Sequence, residues 1–79
     1  MRVKFTKHAL ERMIDRSISR KEVFATLNDP DSVTTDSYEN TIAQKVIDKF
    51  LVRVIYKPEK GVIRVITVYR TSKINKYSR

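Results

Sequence analysis

Two β-branched segments near the C-terminus constrain the fold more than any other feature of this chain. Residues 51–57 read LVRVIYK and residues 62–69 read VIRVITVY, and the loop between them, residues 58–61, contains a proline and a glycine. Two β-branched runs on either side of a four-residue Pro/Gly loop predict an antiparallel β-hairpin. The rest of the chain must therefore supply elements that cover the apolar face of this hairpin.

The N-terminal part of the chain has the spacing of a helix. A short strand is predicted at residues 3–5, and Thr6 can then cap a helix that runs to about residue 16. The apolar residues Leu10, Met13 and Ile14 recur at helical spacing. They are expected to form the face that this helix buries.

A second helix is predicted from a capping box and a proline. Ser19 and Glu22 have the spacing at which each side chain satisfies the backbone amide of the other residue. Pro30 disfavours helical geometry in the residue before it, so the helix is expected to end near residue 28. The residues it is expected to bury are Val23, Phe24 and Leu27.

Two further segments complete the predicted α+β fold. Residues 33–39 and 42–48 are rich in Thr, Ser, Val and Ile, which is typical of strands. We predict the order β-α-α-β-β-β-β, with both N-terminal helices packed on one face of a mainly antiparallel four-stranded sheet. Residues 1–79 are expected to form one domain with a basic tail at residues 70–79. Because the chain has no cysteine and no long apolar run, we expect a cytoplasmic protein without a membrane span.

Strand alternation assigns the side chains of the hairpin to two faces. On the face expected to lie under the helices are Val52, Val54, Tyr56, Val62, Ile66 and Val68. On the opposite face are Leu51, Arg53, Ile55, Ile63, Val65, Thr67 and Tyr69. The polar members of the second set would form a phosphate-binding surface, although polar residues are also ordinary on a solvated sheet face.

The charge of the chain indicates a polyanionic partner. Its 17 Lys and Arg residues against 9 Asp and Glu residues give a net charge of +8. Residues 41–79 hold ten bases and two acids, whereas residues 25–40 hold four acids and no base. Such clustered basic charge attracts nucleic acid, and we expect RNA. The alternative is a surface that is merely soluble or adapted to high temperature.

A stripe on the first helix carries further candidate residues. His8, Arg12 and Arg16 are spaced i, i+4 and i+8, so they lie on one side of the helix. An imidazole can act as a general acid or base, and a guanidinium can hold a phosphate through its fork of donors. A lone surface histidine is, however, often without a catalytic role.

No metal site and no cofactor are expected from the residues present. One histidine and no cysteine leave only carboxylates as metal ligands. There is no glycine-rich phosphate loop and no nucleophile elbow in the sequence. Cleavage of a phosphodiester would therefore use the 2′-hydroxyl of RNA as nucleophile, with side chains that move protons and hold the phosphate.

Residues 5–19 resemble the signature of a widespread prokaryotic family of unknown function, which usually reads HALERMxERGIS. The resemblance continues to a hairpin that reads RVVY…VVTVY in that family, matched here by residues 53–56 (RVIY) and 65–69 (VITVY). It covers residues 5–69, which is nearly the whole chain. Ser17 departs from the pattern because it stands where the family has a glycine in a left-handed conformation.

A more distant resemblance is to the BrnT toxins of the RelE/ParE-like ribonuclease group. Their motifs HGIS…A…DP and RIISAR and their basic end are similar to residues 18–19, 29–30, 63–67 and 70–77. The resemblance implies helices on a curved antiparallel sheet, metal-independent RNA cleavage and the toxin role in a toxin–antitoxin pair. Tyr69 departs from it because the BrnT strand has an arginine there, although Arg70 is adjacent and on the other face.

Our leading hypothesis is a small ribonuclease-like toxin that is inhibited by an acidic antitoxin protein. His8 would shuttle protons, and Tyr69 would orient or protonate the substrate. Arg12 and Arg53 would hold the phosphate. Further contacts with nucleic acid are predicted for Arg16, Lys45, Arg64, Thr67, Arg70, Lys73 and Lys76.

Two other hypotheses are left open by the sequence. One is a non-catalytic RNA- or DNA-binding module in which Tyr38, Tyr69 and Tyr77 stack on bases. The other is a protein-interaction domain, such as a homodimer formed through an exposed sheet edge. The leading hypothesis requires His8 to lie near residues of the uncovered sheet face. If both helices pack behind the sheet, His8 can reach that face only around an edge of the sheet.

Overall fold

One sheet and two packed helices account for most of residues 2–77, the part of the chain that a computed structural model describes. The elements are β1 (Val3–Phe5), α1 (Lys7–Asp15), α2 (Arg20–Asn28), β2 (Ser32–Thr35), β3 (Thr41–Ile47), β4 (Phe50–Glu59), β5 (Val62–Thr71) and a short α3 (Ile74–Tyr77). The five strands form one sheet in the spatial order β1-β5-β4-β3-β2. Within the described part of the chain, no helix is long and apolar enough to cross a membrane.

The α+β class is confirmed, but the sheet has five strands where four are predicted, and it is mixed. The strand pairs β2–β3, β3–β4 and β4–β5 are antiparallel. The fifth strand, β1, runs parallel to β5, with Val3 opposite Ile63 and Phe5 opposite Val65. A strand of only three residues has too little alternation of apolar and polar side chains to predict which strand it pairs with. The place of β1 in the sheet therefore depends on contacts distant in sequence.

Helix α1 begins as predicted, but it buries a different stripe. The side chain of Thr6 accepts a hydrogen bond from the Ala9 amide at 3.0 Å, which confirms the predicted cap. Ala9 and Met13 are the buried residues, whereas Leu10 and Ile14 are 37% and 78% exposed. The prediction that Leu10 and Ile14 are buried is therefore wrong. Ala9 and Met13 are four residues apart and lie on one side of α1, so Leu10 and Ile14, each one residue further along, point about 100° away from the core.

The junction between α1 and α2 is closed by two hydrogen bonds typical of a Schellman motif. Ile18 N donates to Met13 O at 2.9 Å, and Ser17 N donates to Ile14 O at 3.3 Å. Ser17 has a φ of 55°, which confirms the left-handed conformation expected where the family has glycine. Ile18 is only 4% exposed and packs in the core beside Met13. The turn thus fixes how α1 lies on the sheet.

Replacing Ser17 with glycine is expected to stabilise the protein by about 0.5–1 kcal/mol. A left-handed backbone costs a residue with a Cβ about 1–2 kcal/mol, and the greater freedom of glycine in the unfolded chain offsets part of the gain. Urea unfolding should show a higher midpoint with an unchanged slope. Ser17→Ala is the matched control because it keeps the Cβ, and an equal gain in both variants would contradict this explanation.

Helix α2 is capped at its first turn, and its buried residues are Val23 and Thr26. Ser19 and Glu22 form both hydrogen bonds of the predicted capping box. The hydroxyl of Thr26 donates to Glu22 O at 2.8 Å, so this polar residue is satisfied within its own helix. Phe24 and Leu27, predicted to be buried with Val23, are only half-buried. Leu27 nevertheless packs against the core, and Phe24 lies edge-on to the ring of Phe5, so the side of α2 that faces the core runs from Val23 through Thr26 to Leu27.

A β-bulge in β5 reverses the alternation of the hairpin. Thr67 is opposite Ile55 and Val65 is opposite Tyr56, so Ile66 is the extra residue between the two pairs. As a result, Val65 packs in the core on the helix side, and the prediction that Ile66 does so is wrong. For the same reason Ile63, rather than Val62, packs against the core.

The turn of the hairpin is shorter than the predicted four-residue loop. Pro58 and Glu59 belong to β4 and pair with β5, which leaves only Lys60 and Gly61 between the strands. Gly61 has a φ of 65°, a conformation that favours glycine. Pro58 is tolerated in the strand because β3 pairs with β4 only from Tyr56 back to Phe50.

Candidate functional site

A groove opens where α1 runs beside the edge of β5. Strand β1 covers this edge only opposite residues 63–65 of β5. Just beyond, Thr6 closes the edge, since its amide donates to Val65 O and its hydroxyl to Ile66 O. The groove that follows has a volume of about 290 Å³. Its lining residues are His8, Arg12, Arg16, Thr67, Val68 and Tyr69.

The helical side of the groove is the predicted stripe of one histidine and two arginines. His8 and Arg16 are exposed, and Arg12 between them is half-buried. Ala9 and Met13, each one residue further along, are buried against the sheet and so hold the stripe toward the edge of β5. Within the described part of the chain, neither arginine side chain forms an ion pair. Their positive charge is therefore not neutralised by a carboxylate.

The strand side of the groove is supported by a row of polar residues across three strands. Gln44, Arg53 and Tyr69 are directly paired on β3, β4 and β5, on the face of the sheet opposite α1 and α2, which we call the open face. This face is not fully solvated, since Leu51 and Ile55 on it are 1% and 8% exposed. Arg53 Nε donates to Gln44 Oε1 at 3.0 Å, and a terminal nitrogen of Arg53 donates to Tyr69 Oη. The Arg53 guanidinium carbon also lies 5.3 Å from the centre of the Tyr69 ring.

Three of the four predicted catalytic residues line the same groove. His8 and Arg12 reach it from α1, and Tyr69 reaches it from β5. Arg53 is not among the lining residues, but it contacts Tyr69 directly. The helix and the open face thus converge around the edge of β5. Arg53 therefore contacts a residue of the groove without lining the groove itself, and its role in holding a phosphate stays a prediction.

The residues predicted to contact nucleic acid are divided between the groove and other parts of the surface. Arg16 and Thr67 line the groove. Lys45 lies elsewhere, where its ammonium group is 3.3 Å from a carboxylate oxygen of Asp29 and 3.9 Å from one of Asp31. These acids offset the charge of Lys45, which does not line the groove. Arg64 and the tail residues Lys73 and Lys76 are exposed and do not line the groove.

Arg70 connects the two helices to the sheet. Its guanidinium donates to Arg16 O at 2.8 Å and lies 3.7 Å from a carboxylate oxygen of Glu22. The same group lies 5.0 Å from the ring centre of Phe50. Arg70 is paired with the buried Val52, so it is on the helix side of the sheet, opposite to Tyr69. Arg70 therefore has partners within the fold, and its contact with nucleic acid stays a prediction.

Two of the three tyrosines predicted to stack on bases, Tyr38 and Tyr69, lie in different parts of the fold. Tyr38 is exposed in the loop between β2 and β3, and the Tyr77 side chain and residues 78–79 lie outside the described residues.

Asp36 stabilises the loop between β2 and β3, since it accepts hydrogen bonds from Tyr38 N and Asn40 N at 2.8 and 2.9 Å. Desolvation raises the pKa of Asp36, but hydrogen bonds from Asn40 and Tyr38 outweigh it and lower the pKa below its ordinary value. The loop contacts are therefore kept at neutral pH and lost as the pH falls through this lowered pKa.

Gln44 is a site residue that the sequence did not reveal. It is 5% exposed, and its side-chain oxygen holds the guanidinium of Arg53. Within a segment rich in Thr, Val and Ile, a single glutamine reads as a solvent-facing strand residue. Only the register of β3 against β4 shows that it lies directly beside Arg53.

The groove offers nitrogen and hydroxyl groups but no carboxylate among the residues that line it. Across residues 2–77, no three His, Cys, Asp or Glu residues are close enough together to hold a metal ion.

Comparison with protein families matches residues 5–70 to the one described as Domain of unknown function (DUF4258). No curated protein and no solved structure matches the chain. The matched range contains every residue that lines the groove.

Proposed function

The chain belongs to the DUF4258 family, whose description names no activity, and from the groove we propose that it binds RNA and cleaves phosphodiesters without a metal ion. The observation that carries this proposal is the convergence of His8, Arg12 and Tyr69 on one groove of about 290 Å³. It combines a proton-transfer group, a phosphate-binding group and a phenol in a positively charged surface. These are the residue types that such a reaction requires.

The nucleophile in this reaction is the 2′-hydroxyl of the RNA. His8 accepts the proton of that hydroxyl while the 2′-oxygen forms a bond to phosphorus. The bond from phosphorus to the 5′-oxygen of the next nucleotide breaks, and Tyr69 gives or directs a proton to that oxygen. The products are a 2′,3′-cyclic phosphate and a 5′-hydroxyl. DNA lacks the 2′-hydroxyl, so it is bound but not cleaved.

The two arginines of the stripe neutralise the phosphate during this step. Arg12 and Arg16 are one helical turn apart, and both line the groove. Their guanidinium groups can donate to the non-bridging oxygens, where negative charge increases in the transition state. Arg53 contributes through Tyr69, because its guanidinium is hydrogen-bonded to the Gln44 side chain on one side and to the Tyr69 hydroxyl on the other. Arg53 and Gln44 are therefore positioning residues.

The cellular role that best fits such an activity is the toxin half of a toxin–antitoxin pair. The net charge of +8 supports an acidic partner protein. Covering the groove would block RNA and the catalytic residues together. The similarity of residues 18–19, 29–30, 63–67 and 70–77 to the BrnT motifs supports the same role.

An oligonucleotide of DNA with one ribonucleotide at its centre tests this function. Purified protein is expected to cut it only on the 3′ side of the ribonucleotide, because only there is a 2′-hydroxyl available as nucleophile. The same oligonucleotide made entirely of DNA is the matched control and should bind without being cut. Salt-sensitive binding of both oligonucleotides without any cleavage would instead establish a non-catalytic nucleic-acid-binding module.

A further inference from the structure

A second basic cluster lies on the open face, away from the groove. Lys4 of β1 is directly opposite Arg64 of β5, and Arg64 is directly opposite Lys57 of β4. Directly paired residues on neighbouring strands point to the same side of a sheet, and all three side chains are exposed. We call these three residues the basic row.

Stability of the fold alone does not explain the basic row. Like charges directly opposite one another on neighbouring strands destabilise a sheet. Within the described part of the chain, none of the three side chains forms a hydrogen bond or an ion pair. The nearest acid on the same face of β4 is Glu59, two residues beyond Lys57, and a single carboxylate leaves the row strongly positive. An anion from outside the chain would relieve this repulsion.

The basic row and the groove are connected across the open face. Arg53, which holds Tyr69 at the groove, and Lys57 are four residues apart on β4, so they point to the same face. At about 3.3 Å per residue, Arg53 and Lys57 are about 13 Å apart along β4. A helical nucleic-acid strand rises about 3.4 Å per nucleotide, so about four nucleotides, or fewer when extended, span this distance.

We infer that the basic row binds the backbone of the same RNA strand, a few nucleotides away from the phosphate in the groove. This inference rests on the proposed binding of RNA but not on its cleavage. The row makes phosphate contacts without reading bases, because its side chains are ammonium and guanidinium groups on an exposed surface. It therefore adds affinity for longer strands, whatever their sequence.

The length dependence of RNA binding tests this inference. The probes are fluorescent 2′-O-methyl oligonucleotides of three and twelve nucleotides, which cannot be cleaved because the nucleophile is blocked. Wild-type protein should bind the 12-mer at least tenfold more tightly than the trimer. In the double variant Lys57→Gln/Arg64→Gln this ratio should fall on the order of tenfold, and the salt dependence for the 12-mer should decrease by about 1.4 in log–log slope.

The matched control removes two exposed lysines elsewhere, in Lys21→Gln/Lys49→Gln, and should keep the length dependence of the wild type. The Lys57/Arg64 variant should melt at or above the wild-type temperature, because removing like charges relieves repulsion. Equal ratios in the two double variants would overturn the inference while leaving the groove as the RNA site. Failure of the wild type to bind either oligonucleotide would overturn both the inference and the proposed function. If the basic row binds a polyglutamate 12-mer more tightly than the RNA 12-mer, the partner of the row is an acidic protein segment and not RNA.

Discussion

Replacing His8 with alanine is expected to lower the rate of RNA cleavage about 10²- to 10⁴-fold. This is the usual contribution of a positioned general acid or base, and the chain contains no second histidine to substitute for His8. Because His8 is exposed on α1, the variant should fold normally. The rate is measured in single-turnover reactions at saturating protein, so that weaker binding does not contribute. RNA affinity itself should change little, since His8 acts on the proton of the 2′-hydroxyl and does not hold the phosphate.

Free imidazole should partly restore the activity of this variant. Removing the His8 ring enlarges a groove of about 290 Å³ that is already open to solvent, so a small base can enter. Lys7→Ala, a change in the adjacent residue that does not line the groove, is the matched control and should cleave within about twofold of the wild-type rate. A His8→Ala variant with wild-type activity would show that His8 has no catalytic role.

Replacing Arg12 with alanine is expected to lower the maximal cleavage rate about 10²- to 10³-fold, the effect of removing one donor to the charge of a transition state. Arg12 is the half-buried member of the stripe, and it lies between His8 and Arg16 in the groove. Its low exposure strengthens its interaction with a phosphate relative to a fully solvated arginine. Kinetics over a range of RNA concentrations should show that the loss is mainly in kcat rather than in KM.

Arg12→Lys distinguishes the shape of the guanidinium from its charge. Lysine keeps the charge but lacks the planar fork of donors, so binding should be close to wild type while the rate remains at least about tenfold reduced. Lys21→Ala removes a positive charge from the exposed surface of α2 and controls for the general loss of charge. If Arg12→Ala and Lys21→Ala lower the rate equally, Arg12 contributes only to long-range attraction of RNA.

Local signals were sufficient to predict how the helices begin and end. Thr6 and the pair of Ser19 and Glu22 satisfy backbone amides within their own turns, so their roles depend on three or four consecutive residues. The left-handed conformation of Ser17 follows from the same kind of local pattern. The predicted burial of Leu10 and Ile14 failed because the buried side of α1 is decided by its approach to the sheet, not by hydropathy alone.

Predictions that depended on strand register were less successful. The bulge at Ile66 moves Val65 to the helix side of the sheet, and alternation counted along the sequence cannot locate an inserted residue. The position of β1 is likewise set by its pairing with β5, about sixty residues later in the chain. Both features shape the site, because β1 ends where the groove begins.

The candidate site was predictable in its parts but not in its arrangement. Helical spacing places His8 and Arg12 together, and alternation places Arg53 and Tyr69 on one face. That these two sets meet around the edge of β5 follows only from the packing of α1 beyond the end of β1. The same packing leaves Arg53 outside the lining of the groove, and the support from Gln44 depends on a register that the sequence does not specify.

The chemical ends of the RNA products test the central claim most directly. RNA is incubated with the purified protein in EDTA, and the fragments are identified by mass spectrometry. His8→Ala protein purified in parallel controls for contaminating nucleases. The proposed mechanism predicts 2′,3′-cyclic phosphate and 5′-hydroxyl ends that form with the wild type and not with the variant. Fragments that end in 3′-hydroxyl and 5′-phosphate, or RNA that is bound but remains intact, would contradict it.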